Sequence, residues 1–146
     1  SPAVREAADR LVPHLAGDAG AAADLSCIAL DERRLTPFRR RVYAEARRIP
    51  RGELVSYAEL ARRSGAVHGA RAVGRAMATN PWPIVVPCHR VVSADGALHG
   101  FSAPGGTRTK ASLLAIEGLV PNRTRASEAH ARDADAQGSL PFRPTR

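Results

Sequence analysis

Between Thr36 and Pro81, proline and glycine cut the chain into helical stretches too short to stand alone, and this punctuation restricts the fold more than any other feature. Thr36-Pro37 opens the first, with Thr as cap and Pro in the first turn; Phe38, Val42, Ala46 and Ile49 then form one apolar stripe before Pro50-Arg51-Gly52 stops it. Ser56-Tyr57-Ala58-Glu59 has the Ser-x-x-Glu form of a capping box and leads into a helix that Gly65 closes. A further helix is predicted over residues 70–79, ending before Asn80-Pro81. Two short helices across a tight turn make a helix-turn-helix candidate, the second being the reader. That second helix is lined by Ala70, Ala72 and Gly74, with Arg71 and Arg75 projecting from it. Small side chains let a helix backbone approach a neighbour, which is either another helix or a nucleic-acid groove.

Pro87-Cys88-His89-Arg90 follows, set in an apolar run of Ile84, Val85, Val86, Val91 and Val92. A thiol is a useful nucleophile only as thiolate, so an adjacent imidazole or guanidinium changes its chemistry. On the Cys-His adjacency alone, Cys88 reads better as a small core hydrophobe. In a regular strand residues 88 and 89 would point to opposite faces, and Pro87 marks an edge, bulge or strand end where both could approach one site.

The flanks are simpler. Ser1-Pro2 opens a short amphipathic helix that Pro13 is expected to end early, residues 17–24 read as a small-residue linker, and residues 25–30 as a short strand. Residues 84–86 and Val91-Val92 are buried-strand material, and Asp95-Gly96 marks a turn. A loop over residues 99–106 precedes a last helix from Thr107 to Glu117, capped by Gly118. After Pro121 the chain turns polar and non-periodic, which predicts a disordered tail. The predicted fold class is α/β, mainly α: a winged-helix-like helix-turn-helix domain over residues 36–119 with a short strand pair near the Cys-His segment, an N-terminal region over 1–35 and the tail over 120–146.

With 44% hydrophobic residues the bulk is globular. Formal net charge is +8, and the 22 basic residues are 21 Arg and one Lys. Residues 33–75 hold 12 Arg against Glu45, Glu53 and Glu59 alone. Such a field favours phosphate backbones. Cys27 and Cys88 can pair only once and make no disulfide framework or zinc motif. Without an apolar leader or a membrane-length apolar run, the chain is expected to be a cytoplasmic monomer.

Thr36-Pro37-Phe38, Ile49-Pro50-Arg51-Gly52, Val55-Ser56-Tyr57, Arg71-Ala72-Val73-Gly74, Asn80-Pro81, Pro87-Cys88-His89-Arg90-Val91 and Glu117-Gly118 are together similar, in order and spacing, to the active domain of O6-alkylguanine-DNA alkyltransferases, the methylated-DNA–protein-cysteine methyltransferases. The resemblance covers about residues 36–119. It implies repair of double-stranded DNA carrying O6-alkylguanine: a minor-groove helix-turn-helix flips the base, and Cys88 takes the alkyl group irreversibly. It also implies roles. His89 activates Cys88 through a bound water, Glu117 orients the imidazole, Tyr57 protonates the departing guanine and crowds the rotated phosphate, and Asn80 ties the helix-turn-helix to the active-site segment. Arg71 enters the base stack, with Ala70, Ala72, Gly74 and Arg75 on the DNA-facing helix, while Val91, Phe101 and Ser102 contact the flipped base. No metal or cofactor is implied.

Three features depart from the family pattern. Phe101 stands where Tyr is common, the loop over residues 103–106 is about two residues longer than the shortest family loops, and the N-terminal region is shorter than the family's N-terminal domain. A related class without the cysteine only flags lesions, so a non-enzymatic lesion-binding protein is the alternative. Finally, Gln137, Leu140 and Phe142 resemble the short peptides that bacterial proteins insert into the replication sliding clamp, and such docking would tether the chain to nucleoid DNA.

Overall fold

The computed structural model describes residues 2–17, 25–99, 101 and 103–120. Five helices and one strand pair are present among them: α1 (Pro2–Leu15), α2 (Pro37–Arg47), β1 (Val55–Ser56), α3 (Tyr57–Arg63), α4 (Ala70–Ala78), β2 (Val91–Val92) and α5 (Thr107–Ile116), with 3-10 turns at Leu25–Cys27 and Cys88–Arg90. The predicted tail and its clamp-like peptide lie outside the described residues, as does Ser102.

The central helix is built as its sequence dictates. The Thr36 hydroxyl accepts from the Arg39 backbone N–H at 3.3 Å, Pro37 occupies the first turn, and the stripe buries Val42, Ala46 and Ile49 completely or nearly so. Tyr43 is fully buried as well. Its hydroxyl is satisfied twice, donating to the Ala76 carbonyl at 2.9 Å and accepting from Arg39 at 2.7 Å. Its ring meets Trp82 edge-on at 6.1 Å between centroids. Tyr43 therefore fixes α2 against both the end of α4 and the segment leading to Cys88.

The helix-turn-helix is present. Ser56 caps α3 by accepting from the Glu59 N–H at 3.1 Å, and Gly65 (φ +74°) takes the left-handed position after it. The reversal into α4 is tight: a Cβ on Gly69 would lie 2.8 Å from the Ala66 Cβ and 2.9 Å from the Ala66 carbonyl oxygen, so the turn admits only glycine. Val73, Ala76 and Met77 face the core, while Arg71 and Arg75 are exposed.

The strand pair is parallel, with Val55 opposite Val91 and Ser56 opposite Val92. It sets the start of α3 beside the residues that follow the Cys-His turn.

Three expectations are corrected. Residues 25–30 form no strand; the Arg47 guanidinium gathers the carbonyls of Leu25, Ser26 and Ile28 at 2.7–2.8 Å and curls the segment into a 3-10 turn. Residues 84–86 are not extended, because Ile84 has φ +77° and only an isolated Pro83–Val86 bridge forms. Pro13 does not end α1 early; the helix carries it and runs two residues further, to Leu15.

Candidate active site

Cys88 and His89 lie in a 3-10 turn, not a strand, and this answers the alternation problem posed by their adjacency. The Cys88 N–H donates to Val86 at 2.8 Å and the Arg90 N–H to Pro87 at 2.9 Å, so three consecutive side chains leave the backbone around one turn. All three are buried, Cys88 at 3% exposure and His89 at 0%.

The turn is anchored from α4 by Asn80. Its amide donates to the Val86 carbonyl at 2.9 Å and accepts from the Trp82 N–H at 3.0 Å. The same side chain reaches the Cys88 thiol. Burial pushes that thiol up from its ordinary value, and Asn80 and Lys110 offset part of the rise. The resting state is thus the thiol.

His89 Nε2 lies 2.9 Å from Glu117 Oε1. Glu117 ends α5, where its carboxylate also receives the Arg90 guanidinium at 2.7–3.2 Å and the Gly52 N–H at 3.3 Å. Burial alone would raise the carboxyl; the hydrogen bonds from His89 and Arg90 prevail and hold it well below the usual carboxylate range. Burial pulls the His89 imidazole down despite Glu117, so it rests neutral. With Nε2 turned to the carboxylate, Nδ1 is buried without a hydrogen-bond partner. A neutral imidazole, oriented by a carboxylate, with a free ring nitrogen and a thiol on the preceding residue, has the composition of a proton acceptor for that thiol.

Tyr57, the first residue of α3, is half-buried, and its hydroxyl approaches the His99 carbonyl at 3.5 Å. Burial and the neighbouring Cys88 both raise it, which keeps the hydroxyl a proton donor. Val91 presents its carbonyl here, but the Lys110 ammonium already donates to it at 2.6 Å. Phe101 packs partly buried against the core. Cys88, His89, Glu117, Tyr57, Asn80 and Val91 are therefore brought together, while Arg71 and Arg75 stand outside this group on the exposed face of α4.

Sequence reasoning missed Lys110 and the use of Arg90. Lys110 is wholly buried, donates to Val91 and more weakly to His99 at 3.4 Å, and lies 5.8 Å from the Tyr57 ring centroid. Burial pulls its ammonium down to about 8. A signal was available: in a chain with 21 arginines, this is the single lysine. Among the described residues no group of three or more His, Cys, Asp or Glu is placed to hold a metal ion.

Against known proteins, the family described as "6-O-methylguanine DNA methyltransferase, DNA binding domain" matches residues 37–119, more than half of the chain. A Mycolicibacterium paratuberculosis methylated-DNA–protein-cysteine methyltransferase is 51% identical over 80 residues, 55% of this chain and 47% of that protein. The Salmonella typhimurium enzyme of the same name is 46% identical over 85 residues, 58% and 48% of the two chains. The chain thus spans about half the length of the curated relatives it matches. The crystal structure of the Mycobacterium tuberculosis O6-methylguanine methyltransferase is 41% identical, with a TM-score of 0.63 over 76% of this chain and 63% of that one. A structure of S. pombe Atl1 with damaged DNA containing O6-carboxymethylguanine is 33% identical, with a TM-score of 0.50 over 62% of this chain and 80% of the other.

Proposed function

Because this chain belongs to the 6-O-methylguanine DNA methyltransferase family through residues 37–119, we propose that it repairs DNA directly, moving the alkyl group of an O6-alkylguanine onto Cys88. The observation that carries this reading is the neutral His89 held on Glu117 at 2.9 Å beside a buried thiol.

In the reaction, the Cys88 sulfur attacks the alkyl carbon, and the sulfur–carbon bond forms as the carbon–oxygen bond breaks. The thiol proton passes to His89 Nδ1 through a water, giving an imidazolium paired with Glu117. The electron pair returns to the purine, which takes a proton from the Tyr57 hydroxyl and leaves as guanine; the imidazolium proton restores the tyrosine through solvent. The thioether does not hydrolyse, so each molecule reacts once. Lys110, near Cys88, Tyr57 and the Val91 carbonyl, favours the thiolate as it forms and aims the carbonyl at the base.

The stacked base hides its reactive atom, so it must be flipped. Arg71 fills the vacated stack, and Ala70, Ala72, Gly74 and Arg75 lie along the minor groove. Gly74 supports this assignment: a Cβ there would meet nothing within 4 Å among the described residues, so its small size serves no packing against them. Phe101 and Ser102 border the base, the former without the hydroxyl common in the family. The protein would work as a monomer at the nucleoid, with Gln137, Leu140 and Phe142 offered to the sliding clamp.

The test is stoichiometry. Duplex O6-methylguanine should be converted to guanine up to one equivalent per protein molecule and then no further. Continued turnover, or lesion binding without conversion, would point to other chemistry or to a non-enzymatic lesion-binding protein.

A further inference from the structure

A cavity of about 240 Å³ opens behind the Cys-His turn, between the end of α1, the turn at Leu25–Cys27, the chain leaving α2 and the segment that ends at Pro87. Three guanidinium groups, Arg47, Arg51 and Arg90, line it with the His14 imidazole, and none of its described lining residues is acidic. Glu117, whose carboxylate Arg90 occupies, comes no closer than 3.6 Å to His14 Nε2. Arg47 turns Nη2 to three carbonyls, which leaves its charge unneutralised. Among the described residues, three fixed positive charges therefore face one negative.

Two polar atoms here also lack partners. Arg51 Nη2 donates to the Ile116 carbonyl at 2.9 Å, but Nη1 is buried with no hydrogen bond. His14 is 4% exposed, and its Nδ1 is likewise buried and unpaired. Buried polar atoms without partners are rare in folded proteins. The volume is many times that of one water, and a guanidinium fork matches the oxygens of a tetrahedral anion.

We propose that this cavity binds a phosphate-class oxyanion, with Arg51 and His14 as its direct donors and Arg47 and Arg90 supplying the surrounding positive field. The groups facing His14 agree with this. Burial, Arg51, Arg90 and His89 all hold its imidazole below the ordinary value and only Glu117 opposes them, so an added anion would reverse the balance and make Nδ1 a charged donor. The anion is either free phosphate or a phosphodiester of bound DNA, since the chemistry presented is the same.

Histidine-resolved NMR on the full chain tests this, with sodium phosphate titrated against sodium chloride at matched ionic strength. The His14 resonance is identified by its loss in His14→Gln. The proposal expects a saturable phosphate response and a His14 pKa raised by at least about half a unit. Arg51→Met should weaken phosphate binding at least tenfold, while Arg62→Gln, on the exposed side of α3, should leave it unchanged. A response no different from chloride, or one indifferent to Arg51→Met, overturns it, and the wild-type titration decides alone if either cavity variant fails to fold. Unmodified duplex DNA separates the sources: displacement of phosphate from His14 identifies the DNA backbone, and phosphate retained beside bound duplex identifies the free anion.

Discussion

Lys110 puts a titratable amine at a wholly buried position in a chain whose other 21 basic residues are arginines. Between pH 8 and its unfolded value of 10.5, the native ammonium has lost its proton while the unfolded one keeps it. The unfolded state then binds more protons, and stability rises with pH through that window. Below pH 8 both states are charged and burial costs the fold about 3 kcal/mol. The stability difference between wild type and Lys110→Met should therefore move by up to about that amount in favour of wild type from pH 8 to 10.5, as read by urea titration; a constant difference would show an unshifted amine. At this scale the sequence made Cys88, His89 and Glu117 legible, because family spacing marks them. It hid the convergence of His89, Arg90 and the Gly52 N–H on one carboxylate, and the contact of Lys110 with Val91, since both exist only once α5 closes on the Cys-His turn.

At the scale of elements, the caps and stops were readable because they are local: Thr36 and Ser56 bind backbone N–H groups three residues on, and Gly65 and Gly118 have positive φ. The misread segments were those that tertiary contacts decide. Residues 25–30 have strand composition but curl around Arg47, and the valine-rich run before Cys88 is interrupted at Ile84. The function of α4 is also an element-level property. Its inner face packs through Val73, Ala76 and Met77, leaving Arg71 free to act outward. Arg71→Ala should slow repair of a duplex lesion at least tenfold more than reaction with free O6-methylguanine base, because only the duplex requires the stack to be filled. Equal losses on both substrates, measured by single-turnover kinetics, would remove Arg71 from base flipping.

Across the whole molecule, a net charge of +8 sets a field that no single contact explains. Duplex affinity should fall linearly in log–log form with salt, and Arg75→Ala should reduce the slope by about one phosphate contact while weakening all sequences alike. A salt-independent affinity would exclude phosphate contacts from binding. No described helix is long and apolar enough to cross a membrane. The proposed alkyl acceptor is the thiol of Cys88, which rests protonated in a chain segment with a neutral His89. Peptide mass spectrometry after incubation with O6-methylguanine duplex tests it directly. The Cys88 peptide should carry one methyl group in place of the thiol hydrogen while the Cys27 peptide is unchanged; an unmodified Cys88 in protein that has bound the lesion would contradict that role.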